Sequence, residues 1–180
     1  LQTNSTTIDV YNVGVGYNAG YSITTGISNT LLGGLAGDAL TDADSNIAIG
    51  VNALTTETLG SRNVAVGQDA LATQNFTTAT NVNNIGVGYQ AGTAITTGIN
   101  NTHIGANAGD NGTTGDDNVS MGHLALRTMT AGNRNVAIGR SALQLANTTT
   151  DTDTYNVAVG ALAGLSMTGG NQNTLIGGLS

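Results

Sequence analysis

The chain has no cysteine, proline, tryptophan or lysine, and a single phenylalanine, Phe76. Each absence removes a class of protein. Without cysteine there is no disulfide framework. Without proline, and with glycine not falling at every third residue, a collagen helix is excluded. Basic residues are scarce: Arg62, Arg127, Arg134 and Arg140 stand against eleven acidic residues, for a net charge of −7. Such a surface does not suit nucleic acid or another polyanion. No apolar run approaches the roughly 20 residues needed to cross a bilayer, so no membrane insertion by this segment is expected. Disorder is disfavoured, because 39% of the residues are hydrophobic and they recur periodically. The two histidines, His103 and His123, stand far apart, and no Ser–His–acid or metal-ligand spacing occurs. The Gly-x-Gly stretches at 14–16 and 86–88 open no helix, so they are not phosphate loops. Neither an enzyme nor a cofactor site is expected.

What the chain does have is a repeat. Asn recurs at Asn12, Asn29, Asn46, Asn63, Asn84, Asn101, Asn118, Asn135, Asn156 and Asn173, and each is followed four residues later by Gly. In the nine complete copies an Ala follows three residues after that Gly, from Ala19 to Ala163. Self-similarity at a short fixed period is the mark of a stacked-repeat architecture. The spacings are 17, 17, 17, 21, 17, 17, 17, 21 and 17, so four rungs make a unit of 72 residues. The residue after the Ala follows that unit: Gly20, Gly37, Leu54, Leu71, then Gly92, Gly109, Leu126, Leu143, then Gly164. Residues 1–11 align with the tail of a 21-residue rung, placing Leu1, Asp9 and Tyr11 on Leu145, Asp153 and Tyr155. The chain stops at Ser180 on the Ala position. Residues 1–180 therefore read as a single repeat array, an excerpt of a longer one.

Counting the Asn as position 1, position 2 is β-branched in every rung and position 4 is aliphatic or Met. They alternate with a position 3 that is usually Gly or Ala. This predicts a short strand that is apolar on both faces. Gly at position 5 ends it, to admit a positive φ or a close backbone approach. Positions 8–15, with Thr at position 13 of every complete 17-residue rung, predict a second short strand. The expected fold is all-β: a parallel β-roll or β-solenoid of about ten rungs. Stacked about 4.8 Å apart, the rungs place Asn on Asn in an amide ladder and Thr on Thr in a hydroxyl ladder. A strand apolar on both faces needs a partner beyond its own roll, and three-fold association supplies one.

The stretches Asn-Val-Ala-Val-Gly-x-x-Ala (63–70), Asn-Val-Ala-Ile-Gly-x-x-Ala (135–142) and Asn-Ile-Ala-Ile-Gly-x-x-Ala (46–53) resemble the head repeats of trimeric autotransporter adhesins. Similar arrays, with Thr-Thr-Gly turns like those at 24–26, 96–98 and 113–115, occur in phage tail-fibre and bacterial surface fibre proteins. The resemblance spans the whole chain. It implies a left-handed roll, trimerised into a rigid extracellular fibre or adhesin on a bacterial surface or virion tail. That fibre would space or present a surface for a cell-surface glycan or protein receptor. The rungs are longer than the shortest adhesin-head repeats, and the 72-residue unit has no counterpart in the resemblance.

Several residues stand out as site candidates. The two long rungs insert four residues each within 72–83 and 144–155, and inserted residues of a solenoid emerge as loops on one face. Asn75, Phe76, Thr77, Thr78, Thr149, Asp151, Asp153 and Tyr155 are the candidate lateral binding residues. Asp38, Asp42 and Asp44, with Asp110, Asp116 and Asp117 in the equivalent turn, are weak candidate calcium ligands, since hard oxygen donors gather there. The EF-hand and nonapeptide patterns are absent, and a solvated acidic face with ion pairs to Arg62 and Arg134 is the plainer reading. His103 takes position 3, where Leu31 and Leu175 stand. On a trimer axis three such imidazoles could hold an ion, whereas a packed core histidine is the plainer account. Two rival functions remain: a monomeric ice-binding solenoid using the Thr ladder, and a self-stacking filament subunit.

Overall fold

The computed structural model describes residues 10–180. Among them there is no helix, and fourteen short strands follow one another: β1 (Val13–Val15), β2 (Thr30–Leu32), β3 (Ile47–Ile49), β4 (Gly60–Ser61), β5 (Val64–Val66), β6 (Thr80–Asn81), β7 (Ile85–Val87), β8 (Thr102–Ile104), β9 (Val119–Met121), β10 (Gly132–Asn133), β11 (Val136–Ile138), β12 (Thr152–Asp153), β13 (Val157–Val159) and β14 (Thr174–Ile176). Ten three-residue strands form one parallel sheet, in the order β1-β2-β3-β5-β7-β8-β9-β11-β13-β14. The register is the repeat itself: Val13 pairs Thr30, Thr30 pairs Ile47, and so on to Val157 with Thr174. The chain is thus a β-solenoid with one three-residue strand per rung, and a second, two-residue strand in four of them. The alignment of Leu1 and Asp9 lies outside the described residues.

The Asn ladder holds this register. Asn29 donates its backbone N–H to Asn12 Oδ1 at 2.8 Å, and the same bond recurs up the stack, as in Asn101 to Asn84 Oδ1 at 2.8 Å. In the 17-residue rungs the side-chain amide also closes its own rung, as Asn29 Nδ2 does on the Ala43 carbonyl at 2.8 Å and Asn118 Nδ2 on the Gly132 carbonyl at 2.8 Å. The ladder is buried from Asn29 to Asn156. A buried amide is costly unless its donors and acceptor are satisfied, so this residue type is fixed by the site.

Gly at position 5 meets both expected demands. At Gly88, φ is +136°, and an added Cβ would sit 2.6 Å from the Gly105 carbonyl oxygen on the next rung. Any side chain there would push the rungs apart.

Two expectations are corrected. The segment at positions 8–15 forms no strand in five of the seven complete 17-residue rungs, and only the two-residue β4 and β10, starting at position 15, in the other two; it is mainly a series of turns. The residues at positions 7 and 9 have positive φ, as at Asn18 (53°) and Gly20 (61°), which bends the chain too tightly for an extended ladder. The N–H groups of Thr24, Thr25 and Gly26 instead converge on the Thr41 carbonyl at 3.0, 3.2 and 3.1 Å. The sheet, in turn, is not buried on both faces of the single chain. Position 3 points into the roll: Leu31, Ala48, Ala65, Ala137 and Ala158 are fully buried. Positions 2 and 4 point outward, and Val13, Val15, Leu32, Met121 and Ile176 are exposed.

The core explains the 72-residue unit. Where position 3 is large, position 9 is Gly, and the two touch. A Cβ on Gly37 would lie 2.8 Å from Leu31 Cδ2 of its own rung, and one on Gly164 would lie 2.8 Å from Leu175 Cδ1 of the following rung. In the third, fourth, seventh and eighth rungs position 3 is Ala or Ser and position 9 is Leu: Leu54, Leu71, Leu126 and Leu143 fill the roll from the opposite wall. These leucines hold φ between 49° and 55°, a conformation costing about 1–2 kcal/mol for a residue with a Cβ. Burying a leucine side chain contributes about 1.5–3 kcal/mol, enough to offset that strain. The super-period is therefore a packing cycle, in which two rungs with Gly at position 9 are followed by two with Leu there.

Candidate functional site

The outward face of the ten-stranded sheet is a regular surface that runs along all ten rungs. It carries two columns of side chains, one from position 2 and one from position 4. Every residue in them is Val, Ile, Leu, Met or Thr. In-register parallel stacking makes the columns straight, and ten rungs give a stripe about 45 Å long. The apolar content is high and partly open: Val15 is 55% exposed and Met121 42%, while Val66, Val87 and Ile138 are half-buried. Contiguous exposed apolar patches of this kind mark interaction surfaces rather than free solvent faces. At position 6 Tyr17 and Tyr89 stand exposed, four rungs apart.

The two inserts lie elsewhere on the rung and are tied to it. Each adds a two-residue strand: β6 pairs β4 and β12 pairs β10. Asn75, Thr77 and Thr78 are exposed, as are Thr149, Asp151, Asp153 and Tyr155. Phe76 is not: it is 9% exposed and turned into the roll, so its place among the lateral binding residues is corrected. The first insert also closes over Glu57, which is fully buried. Its Oε1 accepts backbone N–H bonds from Thr58, Leu59, Gly60 and Phe76 at 2.9, 3.1, 2.7 and 3.0 Å. Its Oε2 accepts from Gln74 Nε2 at 2.8 Å, and Gln74 Oε1 accepts from Asn84 Nδ2 at 2.8 Å. The carboxylate thus needs no cation. Nothing in the sequence marks Glu57 beyond its taking a position held by Ile, Leu, Met or Gly in the other 17-residue rungs.

The carboxylates of the acidic turns are engaged in bonds between rungs. Asp44 Oδ1 accepts the Ile27 N–H at 2.8 Å, and Asp116 Oδ1 accepts the Ile99 N–H at 2.7 Å. Asp42 bonds the Thr25 hydroxyl, and Asp38 Oδ1 accepts from Thr55 at 2.6 Å. Asp117 accepts from Asn100 at 3.1 Å and faces Arg134 at 3.7 Å. Each carboxylate is a rung-to-rung acceptor, and no group of three acidic or histidine residues that could hold a metal is found among the described residues. Desolvation raises the Asp116 carboxyl above its ordinary value. It does the same for Asp110, against the pull of the neighbouring Arg127 guanidinium, 3.5 Å away. Arg134 contacts Asp153, donates to Tyr155 Oη at 3.1 Å and lies over that ring at 5.6 Å. The expected pairing of Arg134 with the acidic turn is thus present, extended to the second insert.

His103 points into the roll, away from the outward face. Its Nδ1 lies 2.7 Å from Ser120 Oγ, and it is 3% exposed. Histidines placed this way cannot meet on an axis against the sheet's outer face, so the converging-imidazole ion site is withdrawn. The Thr ladder is also engaged: Thr41 Oγ1 donates to the Thr58 carbonyl at 3.1 Å and Thr113 Oγ1 to the Thr130 carbonyl at 2.9 Å. No helix among the described residues is long and apolar enough to cross a membrane.

Comparison with family models, curated proteins and solved structures gives no match. The functional argument therefore rests on the surface itself.

Proposed function

We propose that the chain is a structural segment of a trimeric extracellular fibre or adhesin. Three rolls pack their outward sheet faces against one another, and the remaining surface spaces or presents a receptor-binding element. The observation that carries this reading is the straight, two-column stripe of aliphatic residues on the outside of the sheet. A monomer would leave it in water, at a cost of about 25 cal/mol for each Å² of apolar surface. A flat, ungrooved surface of one repeating composition is self-complementary, which favours copies of the same chain as partners. The resemblance to adhesin-head and tail-fibre repeats points the same way. The candidate receptor face is then lateral, where Tyr17, Tyr89 and the exposed residues of the two inserts lie, and the ligand class is a surface glycan or protein. The ice-binding alternative is weakened because the Thr hydroxyls donate to the next rung instead of forming a free lattice.

Sedimentation equilibrium tests this. The chain is expected at three times its 17.9 kDa mass. Replacing Val66 and Ile138, both outward on the sheet, by Asp is expected to give folded monomers with an unchanged β spectrum. A wild-type chain that stays monomeric at micromolar concentration overturns the proposal.

A further inference from the structure

The buried apolar residues form two separate clusters. One runs from Ala19 to Ile95, through the first five rungs. The other runs from Ala125 to Ala163. The sixth rung lies between them and contributes to neither. Its inward strand residue is His103, where the equivalent rungs have Leu31 and Leu175. Its position 12 is Gly112, where the second rung has the buried Leu40. Above it, position 3 is Ser120 instead of Ala. The imidazole lies against two glycines: a Cβ on Gly109 would be 2.5 Å from His103 Cε1, and one on Gly92 would be 3.1 Å from Cδ2.

We infer that the sixth rung is an acid-labile joint: a polar layer, His103 on Ser120, separates two apolar cores, and charging the imidazole opens the roll there while both halves stay folded. The layer has no place for a cation. The hydroxyl of Ser120 is the imidazole's hydrogen-bond partner, and a neutral partner does little to offset a buried charge. The charged groups on the neighbouring segments are engaged elsewhere. Asp110, on the turn after Gly109, faces Arg127 and accepts from Asn107 through Oδ2, while its Oδ1 is buried without a hydrogen-bond partner. Arg127 belongs to the turn after Leu126. Asp116 and Asp117 are held by Ile99, Asn100 and Arg134 on the far turn. No titratable side chain is carried by β7 or β9, the strands flanking β8. His123 is exposed and outside the roll.

Burial lowers the His103 pKa to about 4. A histidine whose folded value is depressed binds its proton more readily when unfolded. Its neutral form is no burden above the unfolded value of about 6.5, and stability is lost progressively as pH falls from there toward 4. Asp110 and Asp116, whose values are raised, run the other way and are relieved on acidification. The loss is therefore tied to His103.

Amide hydrogen exchange resolved by mass spectrometry tests the joint, with rates corrected for the chemical effect of pH. Protection of 102–104 and 119–121 is expected to fall at least tenfold between pH 7 and pH 4. Protection of 47–49 and 157–159 is expected to hold. The variant carrying His103→Leu and Ser120→Ala copies the Leu31–Ala48 pair of the second and third rungs and is expected to abolish the local fall. A uniform loss along all rungs overturns the inference, as does an unchanged fall in the variant. Histidine-labelled NMR of the wild type gives a second reading, with exposed His123 as internal reference. Titration of both rings together in the folded protein also overturns it.

Discussion

The two 21-residue rungs, 63–83 and 135–155, have the same length and phase, and both inserts end in a two-residue strand, yet they are held down by opposite means. Under the first insert the inward residues are Glu57, Gln74, Phe76 and Val82. At the equivalent places the second has Met129, Ala146, Thr148 and Thr154. Polarity is exchanged within the set. In the first unit Glu57 and Gln74 supply the hydrogen bonds, and Phe76 and Val82 supply apolar volume. In the second, Met129 and Ala146 are apolar, while Thr148 bonds Met129 Sδ at 2.9 Å and Thr154 bonds the Asn133 carbonyl at 3.0 Å and Asn135 Oδ1 at 2.7 Å. The outer edge differs as well, since the second insert alone has the Arg134–Asp153–Tyr155 contact. A repeated backbone thus tolerates either chemistry, provided all four residues change together. The loops are anchored parts of the wall whose exposed tips alone are free to vary.

Breaking one quartet gives the largest effect. Glu57→Met leaves four backbone N–H groups and the Gln74 amide without their acceptor, and a loss of roughly 3–5 kcal/mol in urea unfolding is expected. Installing Met, Ala, Thr and Thr together at 57, 74, 76 and 82 sharpens the comparison, because it should recover more than half of that loss. A strictly additive result would show that the residues do not act as a set. In the second unit Thr154→Val copies Val82. It removes two hydrogen bonds and keeps the volume, so about 1–2 kcal/mol is expected by the same measurement. Arg134→Ala, at the exposed edge, should have the smallest effect, detectable in the melting temperature at low salt and erased at high salt. A salt-independent loss would mean that the guanidinium acts by packing on Tyr155.

Much of the architecture was legible in particular residues. Asn at position 1, Gly at position 5 and Ala at position 8 do not vary because each has one solution: a satisfied buried amide, a carbonyl contact with no room for a Cβ, and a wall of fixed thickness. The alternation at positions 2 to 4 identified the strand. The second strand was over-read, since Thr at position 13 is as regular as a strand residue. Its regularity comes from the hydroxyl-to-carbonyl bond between rungs, which needs stacking but no extended chain. Phe76 was misplaced for a related reason, whereas His103 is the packed core histidine of the plainer account. A period gives spacing and not direction, and an insert can turn a residue inward.

The sequence by itself determined that the chain stacks, its period and register, and which strand residues alternate, because identical rungs can only place like on like. The tertiary structure alone decided which way each side chain points. Direction followed from the left-handed residues at positions 7, 9 and 17 and from the volume left by the opposite wall. Through that choice the aliphatic columns face outward, Glu57 is enclosed by backbone donors, and His103 sits in a gap between two cores.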